Sequence, residues 1–136
     1  MLVKIKTEDK LIAIIIRADY SKEGIEFFTP DEFSQQLAYM NRPAGYTIMP
    51  HVHNPVPREV HFTQEVLLIR KGKVKVDFYT QERKYLESKV LSTGDVILLA
   101  DGGHGFTILE PTEMIEIKQG PYLGEHDKTK FDHDTC

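Results

Sequence analysis

Gly45-Tyr46-Thr47-Ile48-Met49-Pro50-His51-Val52-His53 opens the stretch on which the reading of this chain turns. It runs on, through a proline-rich interval, to Glu65-Val66-Leu67-Leu68-Ile69-Arg70-Lys71-Gly72. Side chains on a strand alternate faces, so His51 and His53 point the same way, about 7 Å apart along the backbone. Glu65 is in phase with Leu67 and Ile69. If those two face the interior, Glu65 does too, and a buried carboxylate needs a partner. His104 follows Gly102 and Gly103, which let the backbone bend and aim the ring inward. Three imidazoles and one carboxylate make a candidate site for one divalent transition metal ion. Zn, Ni, Fe, Mn and Co suit such donors, whereas Mg and Ca suit them poorly. Plainer readings stand beside this one: a His pair at a strand end, Glu65 paired with Arg58 or turned to solvent, and His104 in a wet turn.

Outward from this stretch the chain reads as strand after strand. Leu11-Ile-Ala-Ile-Ile-Ile16 is a β-branched apolar run, expected as a strand buried on both faces. Its outer side needs a cover. A partner subunit in a homodimer is one candidate, and a helix of the same chain is the other. Gly24 to Phe28 reads as a further strand. Thr29-Pro30-Asp31-Glu32 carries the marks of a helix start, with Thr29 as N-cap and Glu32 closing a capping box. One short N-terminal helix over about 29–40 is therefore expected, ending before Asn41-Arg42-Pro43.

A strand from Ala44 to Pro50 is expected next, then a stiff loop at Asn54-Pro55-Val56-Pro57-Arg58. Val74, Val76 and Phe78 alternate with Lys73, Lys75 and Asp77, the pattern of a half-buried strand. Strands near Tyr85 to Leu91, Val96 to Ala100, Phe106 to Leu109 and Glu113 to Gln119 complete the set. About eight short antiparallel strands in one small domain imply a sandwich, a jelly roll or a small barrel. The tail from Gly120 is polar, carrying His126, Asp127, His133 and Asp134. It reads as frayed and solvated, with a metal-binding tail as the alternative.

The 136 residues suit one domain, with 28% charged and 40% apolar residues. A net charge of −4, with Lys and Arg dispersed, gives no electrostatic footprint for nucleic acid. No apolar run approaches the roughly 20 residues needed to span a bilayer. The charged start lacks a cleavage-site pattern, and the single cysteine, Cys136, suits a reducing compartment. A cytoplasmic location is expected.

The motif spacing resembles the cupin superfamily. Its first motif is a Gly, five residues, His-x-His, a gap, Glu, six residues and Gly, matched by Gly45, His51, His53, Glu65 and Gly72. Its second is similar to Gly94, Gly102 and His104. The chain departs from the pattern in three places. Eleven residues separate His53 from Glu65, where the usual gap is three or four. Ala100 stands where a proline is usual and His104 comes one position early, while Ile108 stands where many cupins carry Asn. The closing segment, Ile115 to Tyr122 with Asp127-Lys128, resembles the small bacterial WbuC-like cupin metalloproteins, often encoded among surface-polysaccharide functions.

The resemblance implies an all-β, cupin-type antiparallel jelly-roll barrel over the whole chain. Residues 1–43 would form N-terminal strands and a helix, 44–119 the barrel core and 120–136 the tail. It further implies a metal held by His51, His53, Glu65 and His104. The expected function is metal-dependent action on a small oxygen-bearing substrate such as a sugar derivative. Isomerisation or epimerisation comes first, and oxygen-dependent cleavage at Fe(II) second. His61, Tyr46 and Tyr122 are the candidates for moving a proton. Thr47, Met49, Arg58, Phe78, Phe106 and Lys118 are the candidate substrate contacts. Two other readings remain open: a non-catalytic metal-dependent sensor, and a metal-free nucleotide-sugar isomerase using His51 and His53 as acid and base.

Overall fold

The structure, a computed structural model, describes residues 1–132, so His133, Asp134 and Cys136 lie outside the described residues. Eight strands appear in chain order: β1 (Leu2–Lys6), β2 (Leu11–Ile16), β3 (Gly24–Phe27), β4 (Ala38–Asn41), β5 (Glu65–Tyr79), β6 (Tyr85–Ser92), β7 (Val96–Leu99) and β8 (Gly103–Lys118). Six of them form one antiparallel sheet in the order β1-β2-β7-β5-β6, with β8 also on β5; β3 and β4 form a separate hairpin. The large sheet curls into a half-barrel.

β5 and β8 form the spine of the curl. The first part of β5 pairs with β7, from Glu65 opposite Leu99 to Leu68 opposite Val96. Its second part pairs with β6, from Lys73 opposite Ser92 to Tyr79 opposite Tyr85. β8 runs along both parts, from Lys118 opposite Glu65 to Gly103 opposite Tyr79, and the ladder slips between Ile69 and Val74. Gly72 lies in that slip with φ +105, and a Cβ there would sit 2.3 Å from the carbonyl oxygen of Pro111. Only glycine lets the two backbones approach so closely at a positive φ. Irregularities of this kind bend a strand and sharpen its twist, in keeping with the curl of the sheet.

The period of two divides the side chains between two cores. Ile5, Leu67, Ile69, Val74, Val76, Phe78, Leu91, Ile97 and Leu99 fill the inside of the curl. Ile14, Ile16 and Leu98 face the other way, against Phe28 and Leu37, with Leu2, Tyr20, Phe33 and Tyr39 around them. β2 is thus buried on both faces as its composition requires, each such side chain contributing about 1.5–3 kcal/mol. Within the chain its cover is the β3–β4 hairpin and the loop inside it, not a helix.

The helix expected at 29–40 is absent. Thr29 does not act as a helix cap: its hydroxyl donates to Gln36 Oε1 at 2.8 Å and accepts the Leu37 N–H at 3.2 Å. Gln36 Nε2 donates to the carbonyls of Pro30, Asp31 and Phe33, which in a helix would have accepted backbone N–H groups. Pairing of β4 with β3 then claims residues 38–41. The strand expected from Ala44 to Pro50 is absent too, since no strand lies between Asn41 and Glu65.

The described part of the tail is mostly exposed, as a solvated tail should be, but Asp127 and Phe131 tie it to the rest of the chain. Asp127 Oδ1 accepts from the Thr63 hydroxyl at 3.2 Å, and Asp127 Oδ2 lies 3.8 Å from Lys118 Nζ. The Phe131 ring meets Tyr79 edge-on at 5.0 Å and lies beside Gly103. The tail therefore spans from the last residue of β8 back to its first. Among the described residues, no helix is long and apolar enough to cross a membrane.

Candidate functional site

Glu65 begins β5, and His104 stands near the start of β8, opposite Phe78. The curl of the sheet brings these two ends of the ribbon together, so that His104 Nε2 lies 2.9 Å from Glu65 Oε1. Their side chains are 29% and 14% exposed, enough for solvent or a small molecule to reach the pair. Phe106, two residues beyond His104 on the same face, turns its ring to the imidazole at 5.6 Å and keeps 39% of its surface open. Lys118 is directly opposite Glu65, and its ammonium lies 5.7 Å from the centre of the Tyr122 ring.

Sequence reasoning missed Glu116. It is in phase with Lys118 on β8, opposite Leu67, so it shares the face of Glu65. The His104 imidazole first of all, then hydrogen bonding with Glu116, holds the Glu65 carboxyl at about 2, far below the usual range. Glu116 moves the opposite way, raised chiefly by its hydrogen bond to Glu65. Two neighbouring carboxyls that cannot both ionise easily divide the labour: Glu65 stays charged and Glu116 holds a proton more tightly. The alternation Met114, Glu116, Lys118 was the available signal. It could be used only once the β5–β8 register was known.

The remaining candidates are dispersed. His51 and His53 lie in the segment 42–64 that joins β4 to β5, their rings 5.1 Å apart, with His51 Nδ1 2.9 Å from the Met49 carbonyl. Both are exposed, as are Thr47 and Met49, the latter 81% so; neither lines the barrel wall. Tyr46 lies under the Arg42 guanidinium at 4.5 Å. Arg58 is exposed in the same segment. His61 lies 3.5 Å from Glu59 and lines a different cavity of about 900 Å³, between the 27–34 loop, the end of β1 with the turn after it, and residues 59–64. Phe78 is fully buried in the core, where it cannot meet a ligand.

The donor set implied by the resemblance is therefore only half assembled: Glu65 and His104 meet, while His51 and His53 are paired elsewhere. Among the described residues, no three His, Cys, Asp or Glu side chains group so as to hold one ion. What is assembled is an ionised carboxylate, an imidazole and a second carboxyl with a raised proton affinity, flanked by an ammonium and an open aromatic ring. Such a set can bind hydroxyl and carbonyl oxygens and exchange a proton with them. No family model, curated protein or solved structure matches this chain.

Proposed function

We propose that the half-barrel binds a small oxygen-bearing molecule, of the class of a sugar derivative, between Glu65, His104, Phe106 and Glu116. The 2.9 Å contact of Glu65 with His104 carries this reading, because it joins two partly exposed polar side chains from the two ends of a curled ribbon. An apolar wall with a few convergent polar groups is the usual make-up of a small-molecule site. The reaction class that fits is proton transfer beside a carbonyl. In this reading Glu116, whose proton affinity is raised by its hydrogen bond to Glu65, takes and returns the proton, and Glu65 and His104 orient the substrate oxygens. The spacing of Gly45, His51, His53, Glu65 and Gly72 supports reading the curl as a cupin-type jelly roll.

A second reading rests on the His51–His53 ring pair, carried by a segment that no strand holds. In it, His51, His53, Glu65 and His104 hold a Zn, Ni, Fe, Mn or Co ion, and the ion when bound supplies Lewis-acid chemistry. The metal-free nucleotide-sugar isomerase is its counterpart without the ion.

Two measurements test these readings. NMR titration with a panel of hexoses, hexose phosphates and uridine-diphosphate sugars should shift resonances of Glu65, His104, Phe106 and Glu116. Shifts confined to the cavity beside His61, or none at all, would overturn the first reading. For the second, elemental analysis of the purified protein should find a transition metal in wild type and less in His51→Ala. Melting temperature should rise with added Ni or Zn and fall with chelator. No metal and no thermal response would remove the ion and leave the acid–base reading.

A further inference from the structure

The tail adds a cationic compartment to this site. Lys118, Tyr122, Gly124, Glu125, Asp127, Lys128 and Lys130 line a cavity of about 490 Å³. Sites for small ligands commonly fall between about 300 and 1,000 Å³. The lining has three lysines against two carboxylates, in a chain whose net charge is −4. Asp127 is engaged by Lys118 and Thr63. Among the described residues, Lys128 and Lys130 make no ion pair, which leaves two ammonium groups against Glu125. The compartment adjoins the proposed site, since Lys118 is opposite Glu65, and both Lys118 and Lys128 act electrostatically on Glu116. Tyr122 is exposed and offers an aromatic face beside these charges.

We infer that the ligand of this site carries a negative charge, as a phosphate ester or carboxylate on a sugar derivative, received by Lys118, Lys128 and Lys130 with its ring against Tyr122. This rests on the proposed function and narrows it. The acids around the anion are Glu65, Glu116, Glu125 and Asp127. Glu65 contacts His104 and Asp127 contacts Lys118, while Glu116 and Glu125 oppose the anion. The lysines are point charges on flexible stems, so the compartment selects charge more than shape. The tail thus selects the substrate, and the curled ribbon supplies the groups that act on it.

The test is calorimetric titration of the full chain with glucose 1-phosphate, glucuronate, glucose and inorganic phosphate at low and moderate salt. The two anionic sugars should bind at least tenfold more tightly than glucose, and added salt should narrow that difference. Lys128→Glu with Lys130→Glu should cost glucose 1-phosphate at least tenfold in affinity and leave glucose unchanged. Lys128→Arg with Lys130→Arg should retain the wild-type preference. Equal affinity for charged and neutral sugars, or an unaffected double-Glu variant, would overturn the inference while leaving the proposed function standing. Tighter binding of inorganic phosphate than of either sugar anion would overturn it as well. If instead Glu65→Gln alters the binding of none of the sugars, the proposed function itself fails.

Discussion

Glu65 and His104 touch at 2.9 Å although the β5–β8 ladder places them near its opposite ends, Glu65 facing Lys118 and His104 facing Phe78. The contact is the signature of a ribbon folded over on itself. It makes the meeting of these two side chains a product of curvature, which a single-strand motif alone could not supply.

The pair should show in the pH dependence of stability. Glu65 is depressed from 4.5 to about 2, chiefly by His104. Its contribution is therefore complete above about pH 4.5 and lost as pH falls towards 2. Glu116, raised by the same cluster, works in the opposite sense and costs stability as pH rises past the ordinary carboxylate range. Glu65→Gln should lower stability at neutral pH by about 2 kcal/mol and flatten the acid limb, as read by urea melts from pH 2 to 7.

Gly72→Ala should be severe. The new Cβ would lie 2.3 Å from the Pro111 carbonyl oxygen and 2.7 Å from Thr112 Cα, at a φ that disfavours any side chain. A loss of about 3 kcal/mol or more is expected, with the circular dichroism of a less ordered sheet.

Asp95 anchors the turn before β7. It is 4% exposed and accepts from the backbone N–H groups of Ala18 and Ser92, both at 2.8 Å, and from Arg17 at 3.0 Å. Asp95→Ala should cost about 3 kcal/mol in chemical denaturation, because it orphans two backbone donors as well as the guanidinium. Arg17→Ala keeps those backbone bonds and should cost roughly half as much.

Phe78 and Phe106 share a face of the ribbon, Phe78 buried and Phe106 partly open. Phe78→Ala should cost about 3–5 kcal/mol in stability. Phe106→Ala should leave the melting temperature within a few degrees of wild type and weaken any sugar binding several-fold. Paired thermal and titration measurements check both.

Strand positions from β5 to β8 were legible in outline, because alternation and turn residues agree there, but the strands expected over 106–109 and 113–119 are parts of one strand, β8. The joining of Glu65 with His104 was legible as well, from the phase of Glu65 with Leu67 and Ile69 and from the glycines before His104. The 29–40 helix was misread because the capping signature at Thr29 and Glu32 is local. The Gln36 amide and the claim of β3 on residues 38–41 act through contacts that no window of sequence displays. Thr47 and Met49 were named as substrate contacts on a strand expected from Ala44 to Pro50, and no strand forms there. Glu116 and the tail became readable only through register, since what they touch is set by β5 and by Tyr79.

A ribbon whose two ends must find each other has a kinetic cost. Forming the Glu65–His104 meeting, and seating Phe131 on Tyr79, requires closing loops about as long as the segments they enclose, before the core inside the curl rewards the search. Chains governed by such distant pairings assemble on the order of milliseconds to seconds, not microseconds. For this protein the closing of the curl that joins Glu65 to His104 should set the pace of folding.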